Sequence, residues 1–219
     1  MKNKPMLLRF AVFALIGAIC MAIVYSILKP TGELPIYHPS DLKPELVDRQ
    51  SQRTKGEHHI LDFSLMDQQG KTITLADTRG KIRVADFFFT TCTSICPKMT
   101  VNMTRVQEAF KDDDRVILLS HSVTPEVDSV PALAAYAELY GADPRRWHLM
   151  TGDRRQIYRL ARKSWFAALE DGDGGPDDFV HTENFVLADS LGRLRGFYDG
   201  TKTTDVDKLI ADMRTLLAE

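Results

Sequence analysis

One stretch limits what this chain can fold into. The run Val84-Ala85-Asp86-Phe87-Phe88-Phe89 leads into Thr90-Thr91-Cys92-Thr93-Ser94-Ile95-Cys96-Pro97. The first part is apolar and aromatic and reads as a buried strand. After Pro97, Met99, Met103, Val106 and Phe110 recur at steps of four, three and four, which is one face of a helix. The two cysteines therefore sit in a strand-to-helix turn. Pro97 is expected at the first helical position, where a missing N–H costs nothing. Residues four apart at a helix start share one side, so both sulfurs can meet one ligand or close a disulfide. The partial positive charge of the helix N-terminus favours thiolate, the form that attacks disulfides and binds metal. Two soft sulfurs suit Cu(I) or Zn(II) but leave a metal under-coordinated. His181 is the best candidate for a third ligand.

The rest of the chain is consistent with a small α/β protein. Its 219 residues allow one ordinary domain plus an appendage. A net charge of -2, without a basic stripe interleaved with aromatics, argues against nucleic acid as a partner. Three cysteines are too few for a disulfide scaffold, and Cys20 lies in an apolar segment, so Cys92 and Cys96 stand as an isolated pair.

Residues 1–9 form a basic tail with Lys2, Lys4 and Arg9. Residues 10–28 carry no charge over nineteen positions, long enough to span a hydrocarbon core of about 30 Å. The stretch exceeds a usual signal-peptide core and ends without an Ala-x-Ala-like site, so we read it as an uncleaved single-pass anchor. Ile19 argues against lipidation at Cys20. The basic flank stays in the cytoplasm, which puts the remainder on the periplasmic or extracytoplasmic side of the inner membrane. Residues 29–56, with Pro30, Pro35, Pro39 and Pro44, read as a semi-rigid tether. The histidines at its end, His58 and His59, read as solvated.

From residue 57 a domain follows. Leu61, Phe63 and Leu65, a turn at Gly70, then Ile73 and Leu75 predict a hairpin. Val116 to Leu119 predicts a second buried strand. A helix is expected from Ser129, with Pro131 in its first turn and an end near Gly141. Trp147 to Met150 reads as a short strand, and Asp153 as the cap of a helix through Ile157, Leu160 and Ala161. Residues 170–178 are acidic and glycine-rich and read as a mobile loop preceding His181. A hairpin through Phe185 and Leu194 and an amphipathic helix from Thr204 to Leu217 close the chain. Met99 and Met103 share their face with Val106 and Phe110, so they read as core rather than as thioether ligands. His121 and His148 read as structural.

Strands alternating with helices, with a cysteine pair between the first central strand and its helix, point to a thioredoxin-like fold. The C-x-x-x-C spacing is one residue longer than the common redox pair and accommodates a metal between the sulfurs. A thiol peroxidase is a poor match, because Phe89 stands where its motif wants proline.

The chain resembles the SCO family (SCO/SenC) of copper-binding proteins. The matching pieces are Phe87 through Cys92 and Cys96-Pro97, Ser122-Val123-Thr124-Pro125-Glu126-Val127-Asp128, Tyr136 near Gly141, and His181-Thr182, 85 residues after Cys96. The anchor and tether match as well. The resemblance implies copper, as Cu(I) with Cu(II) as a second state, bound by Cys92, Cys96 and His181. It implies delivery of copper to the dinuclear copper site of cytochrome c oxidase subunit 2, or reduction of the cysteines there. On the second reading the protein is a thiol–disulfide oxidoreductase using Cys92 and Cys96 as its redox pair. Thr124 and Val127 depart from the family's pattern, which often has Asp and Arg at those positions.

Overall fold

The computed structural model describes residues 9, 12–21, 33–47, 56–168, 178–180 and 182–219. The chain divides into two compact units, Met1–Glu33 and Leu34–Glu219. In the first, residues 12–21 are helical. Among the described residues no helix is long and apolar enough to cross a membrane, and residues 10, 11 and 22–28 of the expected anchor lie outside them.

The second unit is built on one seven-stranded sheet. Its strands are β1 (Ser64–Asp67), β2 (Thr72–Thr74), β3 (Ile82–Phe88), β4 (Val116–Ser122), β5 (Trp147–Thr151), β6 (Asn184–Ala188) and β7 (Leu194–Asp199). They lie in the order β2-β1-β5-β4-β3-β6-β7. β3, β4 and β5 are parallel, while both edges are closed by antiparallel hairpins. Every residue of β3, β4 and β5 is buried, as expected of strands covered on both faces.

Alternation along β3 sends Val84 and Phe88 to one face and Ala85 and Phe87 to the other. The first face is covered by three helices: α1 (Ile95–Ala109), α2 (Val130–Tyr140) and α4 (Thr203–Ala218). Their apolar stripes, including Met99, Met103 and Val106, Leu133, and Val206, Leu209 and Met213, form one core with Trp147 and Phe185. The methionines are thus fully buried core residues, as their spacing predicts. The second face packs against α3 (Arg154–Arg159) and the residues that follow it.

The sequence punctuation works as read. Ser129 precedes α2, Pro131 sits in its first turn, and Gly141 ends it at φ 66°, the left-handed conformation that glycine adopts without strain. The Asp153 side chain accepts from the Gln156 N–H at 2.7 Å and caps α3. The α3 periodicity hides one irregularity: the helix widens at Leu160–Ser164 into a π turn. That turn precedes Trp165, which is fully buried.

Two expectations change. The tether, expected over residues 29–56, is partly drawn into the domain. Tyr37 N–H donates to Leu194 O at 2.9 Å, and Arg195 donates to the carbonyls of Leu34 and Pro35. Two short 3-10 turns follow, at Pro39–Asp41 and Pro44–Leu46, and Val47 is buried in the core. The prolines set local turns, and hydrogen bonds to β7 hold them, a device with no periodicity to reveal it. His58 is also not a solvated residue. Its Nε2 lies 2.7 Å from Ser164 O and its ring packs 4.6 Å from Phe166. His59 is exposed.

Candidate metal and redox centre

The site grows from the C-terminal end of β3. Val123 N–H donates to Phe88 O at 2.8 Å, which holds the end of β3 beside the end of β4. Cys92 N–H then donates to Phe89 O at 3.3 Å and closes a tight turn over Phe89–Cys92. The helix begins three residues later, at Ile95. Pro97 is therefore the third helical residue rather than the first. Its missing N–H still falls among those that have no partner within the helix, so its cost stays nil.

No side chain of Ser94 caps α1. The sulfur of Cys92 does so instead: it accepts from the Cys96 N–H at 3.4 Å, with Ser94 Oγ 3.8 Å away. A thiolate in that position takes up an otherwise unpaired helix donor and faces the positive end of the helix dipole. The two cysteines differ sharply in surroundings. Cys92 is partly exposed, whereas Cys96 is 2% exposed and packs with Phe88 and Met99. Burial opposes ionisation of Cys92. The N–H groups of Cys96 and Ser94 outweigh it and bring the thiol from 9.0 down to about 7. Cys96 goes the other way: burial first, with the nearby Cys92 sulfur and Asp86 carboxyl adding to it, pushes the thiol up to about 12. The expectation that the helix start favours thiolate thus holds for the residue in front of the helix and fails for the one within it. Both are free thiols.

Two acids complete the site, and neither stands out from sequence periodicity. Asp86, in the middle of β3, is 2% exposed, and its Oδ1 has no hydrogen-bond partner among the described residues. Burial raises its carboxyl to about 7, against a bond from Ser120 that lowers it. It lies on the same sheet face as Val84 and Phe88, behind Cys96. The signal that could have found it was a charged residue inside an apolar strand. Asp128 is fully buried near the end of the loop into α2. It accepts from Thr90, Ser122 and Thr124. Thr124, a departure from the family pattern, therefore contributes a hydrogen bond here, and Val127 is exposed.

The structure separates His121 and His148 from the sulfurs. His121 lies on the opposite sheet face, stacked 4.7 Å from Phe87, with its Nδ1 donating to Asp86 O at 3.2 Å. Burial lowers its imidazole to about 4. His148 Nδ1 lies 3.0 Å from Asp67 Oδ2. His148 is structural, as read; the buried Nε2 of His121 has no hydrogen-bond partner among the described residues. His181, the expected third ligand, lies outside the described residues. Among the described residues no group of three or more His, Cys, Asp or Glu side chains is placed to hold a metal. Among the described residues the site therefore offers two sulfur donors, those of Cys92 and Cys96. A cavity of about 480 Å³ lined by His59, Arg79 and Arg83 lies at the other end of β3 and is remote from this chemistry.

Comparison with known families matches residues 51–218 to SCO1/SenC. The chain belongs to the SCO1/SenC family. The SCO1 protein homolog of Bacillus subtilis (strain 168) is 32% identical over 160 residues, covering 72% of this chain and 82% of that protein. The mitochondrial SCO2 homologs of Bos taurus and Mus musculus are longer, and the match spans 44% and 64% of their lengths. Among solved structures, a SCO1/SenC family lipoprotein from Bacillus anthracis str. Ames shares the fold at TM-score 0.64 and 32% identity, over 76% of this chain and 99% of that one. BsSco, described as a member of the Sco family of cytochrome c oxidase assembly proteins with a disulfide switch, matches at TM-score 0.63 and 32% identity over 74% and 95%. The thioredoxin-like α/β fold read from the sequence is the fold of this SCO domain.

Proposed function

We propose that this domain carries copper on Cys92, Cys96 and His181 and delivers it to the dinuclear copper site of cytochrome c oxidase subunit 2. Residues 10–28 hold it at the inner membrane, with the domain on the periplasmic or extracytoplasmic side. The observation that carries the reading is the seating of both sulfurs at one helix start, with Cys96 N–H on Cys92 Sγ at 3.4 Å. A pair of thiolates and an imidazole suits a soft, low-coordinate ion such as Cu(I). Two thiolates with one Cu(I) leave a charge of -1, which the helix N-terminus partly offsets. Copper is cargo here, so the ligand set has to release it as well as hold it. A third ligand beside the acidic, glycine-rich stretch of residues 170–178 supplies a donor that can leave first. The similarity to a member of a family of cytochrome c oxidase assembly proteins supports the acceptor.

A second reading rests on a separate observation. An accessible cysteine that ionises near 7, backed by a buried one held near 12, is the division of labour of a disulfide reductase. In this reading Cys92 attacks the acceptor disulfide, and Cys96 then closes on Cys92 and releases the reduced acceptor.

His181→Ala separates the two. The copper reading expects the variant to lose tight Cu(I) binding while its exchange with a small disulfide stays near the wild-type rate. Exchange lost together with copper would overturn the division of roles drawn here. Copper binding unaffected by the change would remove His181 from the ligand set.

A further inference from the structure

Three side chains converge on one carboxylate near the cysteine turn. Thr90, two residues before Cys92, donates to Asp128 Oδ1 through Oγ1 at 2.5 Å, and its backbone N–H lies 3.2 and 3.3 Å from the two carboxylate oxygens. Ser122, the last residue of β4, donates to Oδ2 at 2.6 Å. Thr124 adds a bond at 3.1 Å. Asp128 is 0% exposed, and all four donor groups are neutral. Burying a carboxylate on neutral donors alone is expensive unless each donor is well placed. Its loop is itself tied down, with the N–H groups of Val127 and Asp128 both on Thr124 O at 2.9 Å.

Its reach toward the sulfur can be traced bond by bond. Thr90 is the second residue of the turn that Cys92 N–H closes on Phe89 O. Fixing both the N–H and the hydroxyl of Thr90 fixes the plane of that turn. The turn in turn sets where Cys92 presents its sulfur to the Cys96 N–H. Ser94 offers no side-chain cap that would hold the helix start otherwise. We propose that Asp128 is the positioning residue of the cysteine turn, holding Cys92 through Thr90 in the place from which its sulfur caps α1. The proposal rests on the reading of Cys92 and Cys96 as the working pair and adds the group, 36 residues further on, that sets their geometry. Asp128 touches neither sulfur, so its effect on chemistry is indirect.

The test is the rate at which iodoacetamide alkylates Cys92 in the reduced, metal-free full chain at pH 7, followed by peptide mass analysis. The variants are Asp128→Asn, Thr90→Val, Thr90→Ser and Leu209→Ala. Asp128→Asn and Thr90→Val loosen the turn and free the sulfur from its N–H donor, so alkylation slows about five-fold. Thr90→Ser keeps the hydroxyl and restores the wild-type rate. Leu209→Ala, in the core of α4, lowers the unfolding midpoint and leaves the rate unchanged. If Asp128→Asn fails to fold, the two Thr90 variants decide alone. Wild-type rates in Thr90→Val would overturn the proposal, as would equal slowing in Leu209→Ala, which would reduce the effect to general destabilisation. Because no copper is present, the result is independent of the copper reading. Loss of that reading shows as absent Cu(I) binding by wild type, with the variant pattern of alkylation intact.

Discussion

Replacing Asp86 by asparagine should flatten the fall of stability with rising pH. The carboxyl sits near 3.8 in an unfolded chain and near 7 in the fold, because burial disfavours its charge. The folded state therefore holds the Asp86 proton more tightly than the unfolded state. Stability from this group is complete below about pH 4, declines as pH rises, and levels off above about pH 7, where the group is charged in both states. Three pKa units correspond to about 4 kcal/mol over the whole window. Between pH 5 and pH 8 the loss is roughly 2.5 kcal/mol. An asparagine side chain cannot titrate, so the variant's buried amide adds a fixed offset and no slope. Other groups titrate in the same range: His121, lowered, gains stability as pH rises to about 6.5, and Cys92, lowered, gains it between about 7 and 9. Both are present in wild type and variant and cancel in the difference. The assay is urea unfolding of the two reduced proteins at pH 5, 6, 7 and 8. The free-energy gap between Asp86→Asn and wild type should move by roughly 2.5 kcal/mol in favour of the variant from pH 5 to pH 8. Parallel pH profiles would refute the reasoning, because Asp86 would then ionise alike in both states.

Further outcomes follow from the same structure. At pH 7 about half of Cys92 and on the order of one in 100,000 of Cys96 is thiolate, so brief iodoacetamide treatment should label Cys92 and spare Cys96, as read by peptide mass. Labelling of Cys96 first would reverse the assignment of attacker and partner. Met103→Ala should cost about 2–5 kcal/mol in chemical unfolding yet leave copper stoichiometry unchanged, since Met103 is fully buried core. A chain beginning at residue 56 should be less stable by at least about 2 kcal/mol than one beginning at residue 33, as it loses the burial of Val47 and the bonds from Arg195 to Leu34 and Pro35.

Much of the fold was legible because its elements carry periodic signals. The run before Cys92 is buried on both faces, and α1, α2 and α4 each show a stripe that the structure places against the sheet. The caps were legible where a single residue type does the work, as at Gly141 and Asp153. Contacts between distant segments left no such trace. Residues 34–47 join the domain through Arg195 and β7, and His58 through Ser164, pairings that no local pattern announces. The cysteine pair was legible from its spacing and its turn. The opposed ionisation of its members was not, since it depends on which sulfur faces the helix N–H groups and which is buried against Phe88. Asp86 is hidden within an apolar run, where its charge is the clue.

The most direct test of the account is an anaerobic Cu(I) titration of the reduced chain against a competing chelator, for wild type, Cys92→Ser, Cys96→Ser and His181→Ala. The account expects one tight Cu(I) per wild-type chain, lost or much weakened in all three variants. A wild-type chain that binds no Cu(I) tightly while Cys92 and Cys96 still cycle as a disulfide would contradict it and leave a reductase in its place.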